Sequence, residues 1–213
     1  MTSTTGERRG GNGRAGRNPY DLAAVLDIAV VAFNEFGYEA TSMGTLAERL
    51  GTSKSAIYYH VTSKEDLLRL ALDRAMGQLE QVLTLDGAAA GHPDDRLRFV
   101  LRGAVGVLCH DLPYVTLLLR LRGNSEVERD ALERRRQFDH SVATLVEEAR
   151  NDGSLRADVD ARTTTRLLFG MINSIVEWYR PGGAITADEL ADDVITVAFD
   201  GLAREHNVSG QNS

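Results

Sequence analysis

The twenty residues Thr41-Ser42-Met43-Gly44-Thr45-Leu46-Ala47-Glu48-Arg49-Leu50-Gly51-Thr52-Ser53-Lys54-Ser55-Ala56-Ile57-Tyr58-Tyr59-His60 fall into two short helical units around a turn. Met43, Leu46, Ala47 and Leu50 recur at helical spacing, Gly51-Thr52-Ser53 interrupts them, and Ala56-Ile57-Tyr58 begins the second unit. Met43, Leu46, Ala47, Leu50 and Ile57 make an inner face. Thr41, Ser42, Ser53, Lys54, Ser55, Tyr59 and His60 make an outer face of hydroxyls, rings and cations. That is a helix-turn-helix arrangement, in which the second helix must be short, rigid and polar on one side to enter a major groove ~12 Å wide. Small hydroxyls at helix N-termini suit phosphate oxygens, and Lys64, opening the next helix, is placed for another phosphate.

Upstream, Asn18-Pro19 reads as a helix start, with Asp21 in its first turn and apolar residues from Leu22 to Phe36 at helical spacing. Downstream, Ser63 to Asp66 reads as a capping box opening a long helix through Leu79, and a Gly/Ala loop follows at residues 87–91. Pro93 opens the next helix, residues 112–121 form a short apolar piece, and Ser125 with Glu128 caps a long Arg/Glu-rich helix ending near Gly153. Two more helices are expected, Ala161–Tyr179 and Ala187–Glu205, the second behind a Thr186–Glu189 capping box. No alternating strand pattern occurs. The expectation is an all-α chain of about nine helices, in four parts. A basic tail occupies residues 1–18, a DNA-binding unit residues 19–66, a ligand-binding and dimerisation bundle residues 67–206, and a short tail residues 207–213.

Composition at first opposes nucleic-acid binding. The 213 residues carry 24 Lys+Arg against 31 Asp+Glu, a net charge of -7, whereas phosphate neutralisation needs surplus cations. Placement answers the objection, because the tail is +3 and residues 40–64 are +2 from Arg49, Lys54 and Lys64 less Glu48. Charge beyond a screening length of ~8–10 Å scarcely opposes a local cationic face. A hydrophobic fraction of 43% supports a real core, and a single cysteine, Cys109, excludes a disulfide framework or a multi-cysteine metal site. No apolar run reaches the ~18–20 residues of a membrane span and no signal-peptide core is present, so a cytoplasmic protein without membrane partners is expected. No Gly-x-Ser-x-Gly elbow, phosphate-cradling Gly loop or His-x-x-x-His pair points to an enzyme, and no cofactor or metal is expected. A helical enzyme assembled only in the fold and a plain helical interaction module remain as alternatives.

Gly37 to Met43, Leu46 to Val61 and Ser63 to Leu68 together resemble the TetR family of bacterial transcriptional regulators, over about residues 20–70. The resemblance implies a homodimeric, ligand-responsive repressor that releases a pseudo-palindromic operator. It implies phosphate contacts from Thr41 or Ser42, Tyr59, His60 and Lys64, and base-edge reading by Lys54, Ser55 and Tyr58. Two positions depart from the family pattern. Gly44 stands where many relatives carry a polar or charged side chain, implying one contact fewer, and Val61 stands where Phe is usual.

The resemblance also implies an effector pocket in the C-terminal bundle and a dimer through the last two helices. Leu108, Leu112, Tyr114, Leu118, Phe169, Ile172 and Val176 are apolar candidates for the pocket, with Asn173 as an isolated amide and Arg122 as a cation. Gly170 and Ser174 at i, i+4, with Leu190, Val194, Val197 and Gly201, are candidates for the dimer face, although the same periodicity fits packing within one chain. Trp178 to Gly183, followed by the Thr186 helix, resembles the C-terminal segment of relatives that respond to acyl-CoA thioesters. Arg120, Arg122 and Arg134 to Arg136 are then candidates for the CoA phosphates, against the plainer reading of a salt-bridged surface. The effector is thus expected to be a CoA thioester or another apolar, drug-like molecule.

Overall fold

The computed structural model describes residues 21–202, so the two expected tails and the Asn18-Pro19 helix start lie outside the described residues. Ten helices follow one another: α1 (Leu22–Phe36), α2 (Met43–Leu50), α3 (Lys54–Tyr58), α4 (Lys64–Thr84), α5 (Asp86–Ala89), α6 (Pro93–His110), α7 (Leu112–Leu119), α8 (Glu126–Asn151), α9 (Ala161–Trp178) and α10 (Ala187–Phe199). The all-α expectation holds. The tenth helix is α5, a single turn closed within the Gly/Ala linker that read as a plain loop.

Short polar side chains set most helix starts by accepting a backbone N–H that has no partner inside the helix. Asp21 caps α1 through the Ala24 N–H at 2.9 Å, three residues later than the cap expected at Asn18. Ser42, Ser53, Ser63, Ser125, Asp160 and Thr186 do the same for α2, α3, α4, α8, α9 and α10. Among the described residues only the Thr186–Glu189 box closes reciprocally. Asp66 turns instead to the Thr62 amide, and Glu128 reaches past Ser125 to the preceding loop.

α4 is the shaft of the molecule. Its 21 residues span roughly 30 Å at 1.5 Å per residue. It buries Leu67 and Leu68 near its start and packs on α1, α6, α7 and α8. Ile57 and Val61 are buried and pin the short α3 onto the same core. Gly51 closes α2 in the left-handed region at φ 64°, which favours glycine at this turn.

α10 packs chiefly on α6 and much less on α9. Leu190 and Val194 are consequently buried inside the chain, which corrects their assignment to a dimer face. The helix stops at Phe199 rather than Glu205, so Gly201 (φ 76°) lies beyond it and belongs to no helical stripe. Of the expected dimer residues, Gly170, Ser174 and Val197 are exposed.

Glu128 is 5% exposed, and its Oε2 accepts the N–H groups of Arg122, Gly123 and Asn124 at 3.1, 2.7 and 3.0 Å. One carboxylate therefore fixes the whole α7–α8 link. Glu128→Ala strands these donors and should lower stability by about 2–3 kcal/mol, since bonds to a charged acceptor are the stronger kind. Urea unfolding followed by circular dichroism at fixed protein concentration checks this, and an unchanged midpoint would show that the link finds other partners.

Candidate nucleic-acid interface and ligand cleft

α2 and α3 present most of the expected outer face to solvent. Ser42, Ser53, Lys54 and Ser55 are exposed, Tyr58 is half-exposed and Tyr59 is 81% exposed, its ring edge-on to half-buried His60 at 5.2 Å between centroids. Ser53 Oγ accepts the Ala56 N–H at 3.2 Å as the cap of α3 and keeps its own O–H for an outside acceptor.

Two members of the expected set behave differently. Thr41 is 1% exposed, and its hydroxyl donates to Gly37 O at 2.8 Å. Its place is the core, where the hydroxyl holds the α1–α2 loop, and it cannot reach a phosphate. Lys64 is half-buried, with Nζ donating to Tyr38 O at 2.8 Å and lying 4.2 Å from the centre of the Tyr38 ring. Its first task is to brace the same loop, although an ammonium has a further N–H to offer. Arg49 is likewise engaged, 2.5 Å from Glu35 and over the Phe36 ring.

The bundle holds a cleft of about 480 Å³ between α8 and α9. Arg135, Arg136, Arg162 and Arg166 stand around it, with Asp139, His140, Phe169 and Asn173. A cavity of about 30 Å³ lies further in, walled by Leu79, Leu108, Val115, Leu118, Phe138 and Ile172. Arg135, Asp139, Phe169 and Asn173 line both, so the cavity is the inner end of the cleft. Burial pushes the Asp139 carboxyl up, against the pull of Arg135 and Arg166. The cleft thus runs from a cationic mouth past a carboxyl and an amide to an apolar end.

Of the residues expected to line a pocket, Leu108, Leu118, Phe169, Ile172 and Asn173 meet here, and Val176 lines a shallower recess that shares Arg135 and Asn173. Leu112 and Arg122 do not line the cleft; Leu112 packs against the core from the start of α7, and Arg122 belongs to the link held by Glu128. Tyr114 is also corrected. It is buried on the opposite side of α7, where its hydroxyl donates to Asp27 on α1 at 2.6 Å and its ring lies 4.2 Å beneath Arg74. Arg74 in turn bonds Asp111 at 2.5 Å, and Gln78 bonds the same carboxylate, which is 2% exposed. Two further bonds join α1 to the α7 region: Asn34 Nδ2 donates to Pro113 O at 2.7 Å, and Arg120 donates to Asn34 O at 3.0 Å. Desolvation, and then the bond to Asp27, raise the Tyr114 hydroxyl far above its ordinary value, so it remains a donor throughout the working pH range.

Sequence reasoning missed Asp139, Arg162 and Arg166. Each pair Arg135/Asp139 and Arg162/Arg166 has the i, i+4 spacing of one helix face, but only the packing of α8 on α9 turns the two faces together. The arginine run divides by partner: Arg134 grips Glu80 at 2.8 Å twice, Arg136 pairs with Glu133 while still reaching the mouth, and Arg135 lines the cleft. The segment from Trp178 to Gly183 lines no part of the cleft.

Residues 25–71 match the sequence profile of the bacterial regulatory proteins of the tetR family, and residues 90–202 match the tetracyclin repressor-like C-terminal domain. The structure is similar to that of SCO3833, a TetR-family regulator from Streptomyces coelicolor A3, with 49% identity over 89% of this chain and 94% of that one and a TM-score of 0.81. The chain is 28% identical to the HTH-type transcriptional repressor KstR2 of Rhodococcus jostii RHA1, over 92% of this chain and 96% of that protein. It also shares its fold with AibR, solved in complex with isovaleryl coenzyme A and operator DNA, at 24% identity over 83% of this chain and 97% of that chain, with a TM-score of 0.70. No helix among the described residues is long and apolar enough to cross a membrane.

The raised Asp139 carboxyl has a consequence for stability. Its charged form is disfavoured in the folded chain, so its contribution is most favourable at low pH and is lost as pH rises through the folded-state value. Asp139→Asn should therefore be more stable than the parent at neutral pH, with the gap closing as pH falls toward the ordinary carboxylate range near ~4. Melting temperatures of both proteins across that range check the sign, and a gap that widens on acidification would contradict it.

Proposed function

The chain belongs to the TetR family of transcriptional regulators, and from that premise we propose that it is a cytoplasmic repressor released from its operator by an acyl- or aryl-CoA thioester. Members of the family bind operator DNA as homodimers and respond to small molecules, and regulators of this kind are not enzymes. In our reading α3 enters the major groove, Ser55 and Tyr58 face base edges, and Ser42, Ser53, Tyr59 and His60 contact the backbone. The dimer face is the exposed stripe of Leu167, Gly170, Ser174 and Trp178 on α9 together with Val197 on α10.

The observation that carries the effector assignment is the cleft itself, with four guanidinium groups at its mouth and an apolar end beyond Phe169. Guanidinium forks match phosphate oxygens bidentately, and the nucleotide end of coenzyme A supplies such oxygens. A free carboxylic acid brings one charge and nothing for the remaining arginines. AibR offers a precedent for the fold, since its structure holds isovaleryl coenzyme A.

The size of the inner cavity supplies the switch. The inner cavity offers only about 30 Å³, too little for an acyl chain of several carbons, so such a group enters only if a wall moves. Val115, Leu118 and Leu119 of α7 form part of that wall, while the same region holds α1 through Tyr114, Pro113 and Arg120. An acyl group displacing α7 therefore pulls on α1 and on the α2–α3 unit packed against it. In a dimer this changes the separation of the two α3 helices, to which a fixed half-site spacing is sensitive.

The test is a panel of short, branched, aromatic and long-chain acyl-CoA thioesters, with the matching free acids and coenzyme A alone. Thermal shifts and release from a duplex that the protein itself selects from a randomised pool are the readouts. Thioesters should stabilise the protein and release the duplex, and Arg135→Ala/Arg166→Ala should weaken their binding at least about tenfold, as expected for loss of charge-assisted bonds. Stabilisation by free acids with none by thioesters would overturn the assignment and favour a smaller apolar effector.

A further inference from the structure

Three cations lie in residues 40–64, and two are engaged: Arg49 by Glu35, and Lys64 by the Tyr38 carbonyl. Lys54 has no hydrogen bond or ion pair among the described residues, and its exposed side chain lies toward α2. A Cβ built on Gly44 would stand 3.1 Å from Lys54 Cε and 3.4 Å from Nζ, with Ser42 Oγ at 3.3 Å. The lysine therefore folds back from α3 and lies across the first turn of α2, over the bare Cα of Gly44. Gly44 is the second residue of α2 and brings no side chain into this space.

We propose that Gly44 and Lys54 act as one unit, in which Gly44 is a positioning residue that seats the Lys54 ammonium on α2 and so commits it to a DNA phosphate rather than a base edge. The inference rests on α3 docking in the major groove. In that geometry the first helix of the motif crosses the DNA backbone, while side chains projecting from the second reach the bases. An ammonium lying against Gly44 sides with the first helix. Phosphate oxygens accept hydrogen bonds, and Lys54 offers three N–H donors from this position. The expected base-reading role of Lys54 is thereby replaced, and base discrimination passes to Ser55 and Tyr58. The unit also answers the expectation that glycine at position 44 removes a contact: the space is filled from the neighbouring helix.

The experiment uses the full chain and a duplex it selects from a randomised pool, with every single-base-pair variant of that duplex, at several salt concentrations. Lys54→Ala should weaken all duplexes by a similar factor, roughly tenfold for the dimer at ~0.1 M salt, and should reduce the salt slope by about 2, one for each half-site. Gly44→Ala should melt no lower than the parent, weaken binding in the same uniform way, and change nothing further once Lys54 is alanine. Lys54→Gln gives a second reading with the stem of the side chain retained. Either of two results overturns the proposal: a Lys54 variant with an unchanged salt slope that loses preference at one base pair, or a Gly44→Ala cost that is the same with and without Lys54. A failure of α3 docking is distinguishable, because Tyr59→Ala and Lys54→Ala would then both leave binding unchanged.

Discussion

The bond from the Tyr114 hydroxyl to Asp27, 2.6 Å long, joins the helix that walls the inner cavity to the helix that carries the DNA-binding unit. Arg74 lies over the Tyr114 ring and holds the buried Asp111 at the start of α7, so the register of α7 against α4 is fixed by charge as well as by packing. Magnitudes make this junction a sensible place for coupling. A hydrogen bond to a charged group contributes about 1.5–3 kcal/mol when desolvated, and less at a carboxylate as exposed as Asp27. The neutral bond from Asn34 to Pro113 adds about 1 kcal/mol at most. Allosteric coupling energies are typically about 1–3 kcal/mol, so one junction of this size suffices.

The electrostatics of the DNA face are sparse. The net charge of -7 is not offset by a dense cationic patch on α2 and α3, because Arg49 and Lys64 are engaged by groups of the chain itself. Hydroxyls, amides, Lys54 and the remaining N–H of Lys64 are what this face offers a duplex. A face of this kind gives weak non-specific binding, since that binding is almost wholly electrostatic, and leaves affinity to the match of two half-sites with a rigid dimer. The cationic side chains are concentrated at the cleft mouth instead, where Arg135, Arg136, Arg162 and Arg166 face a space rather than a duplex.

What the sequence revealed follows from the range over which each signal acts. Caps, turns and helix periods are local, and Ser42, Gly51, Ser53, Ser63 and Pro93 stand where their chemistry places them. The partner of a helix face is not local. The stripe of Leu190 and Val194 was legible as apolar, but only the docking of α10 on α6 decides that it is core. Tyr114 reads as a pocket residue from composition, but it lies on the face of α7 turned toward α1 and bonds Asp27 instead. Thr41 reads as a surface hydroxyl because its burial depends on the α1–α2 loop folding over it. Arg162, Arg166 and Asp139 are each unremarkable on their own helices and become a site only when α8 and α9 face each other.

The most direct test of the account is the coupling between the two sites. Operator affinity is measured with and without a saturating concentration of the tightest-binding acyl-CoA, for the parent and for Tyr114→Phe. The variant keeps the ring beneath Arg74 and leaves Asp27 at the surface with Arg74 3.7 Å away, so the fold retains its charges in pairs. The account predicts that each ligand alone binds the variant within about threefold of the parent, while the factor by which one weakens the other falls about tenfold, the equivalent of one bond of about 1.4 kcal/mol. A coupling factor equal to that of the parent would contradict it.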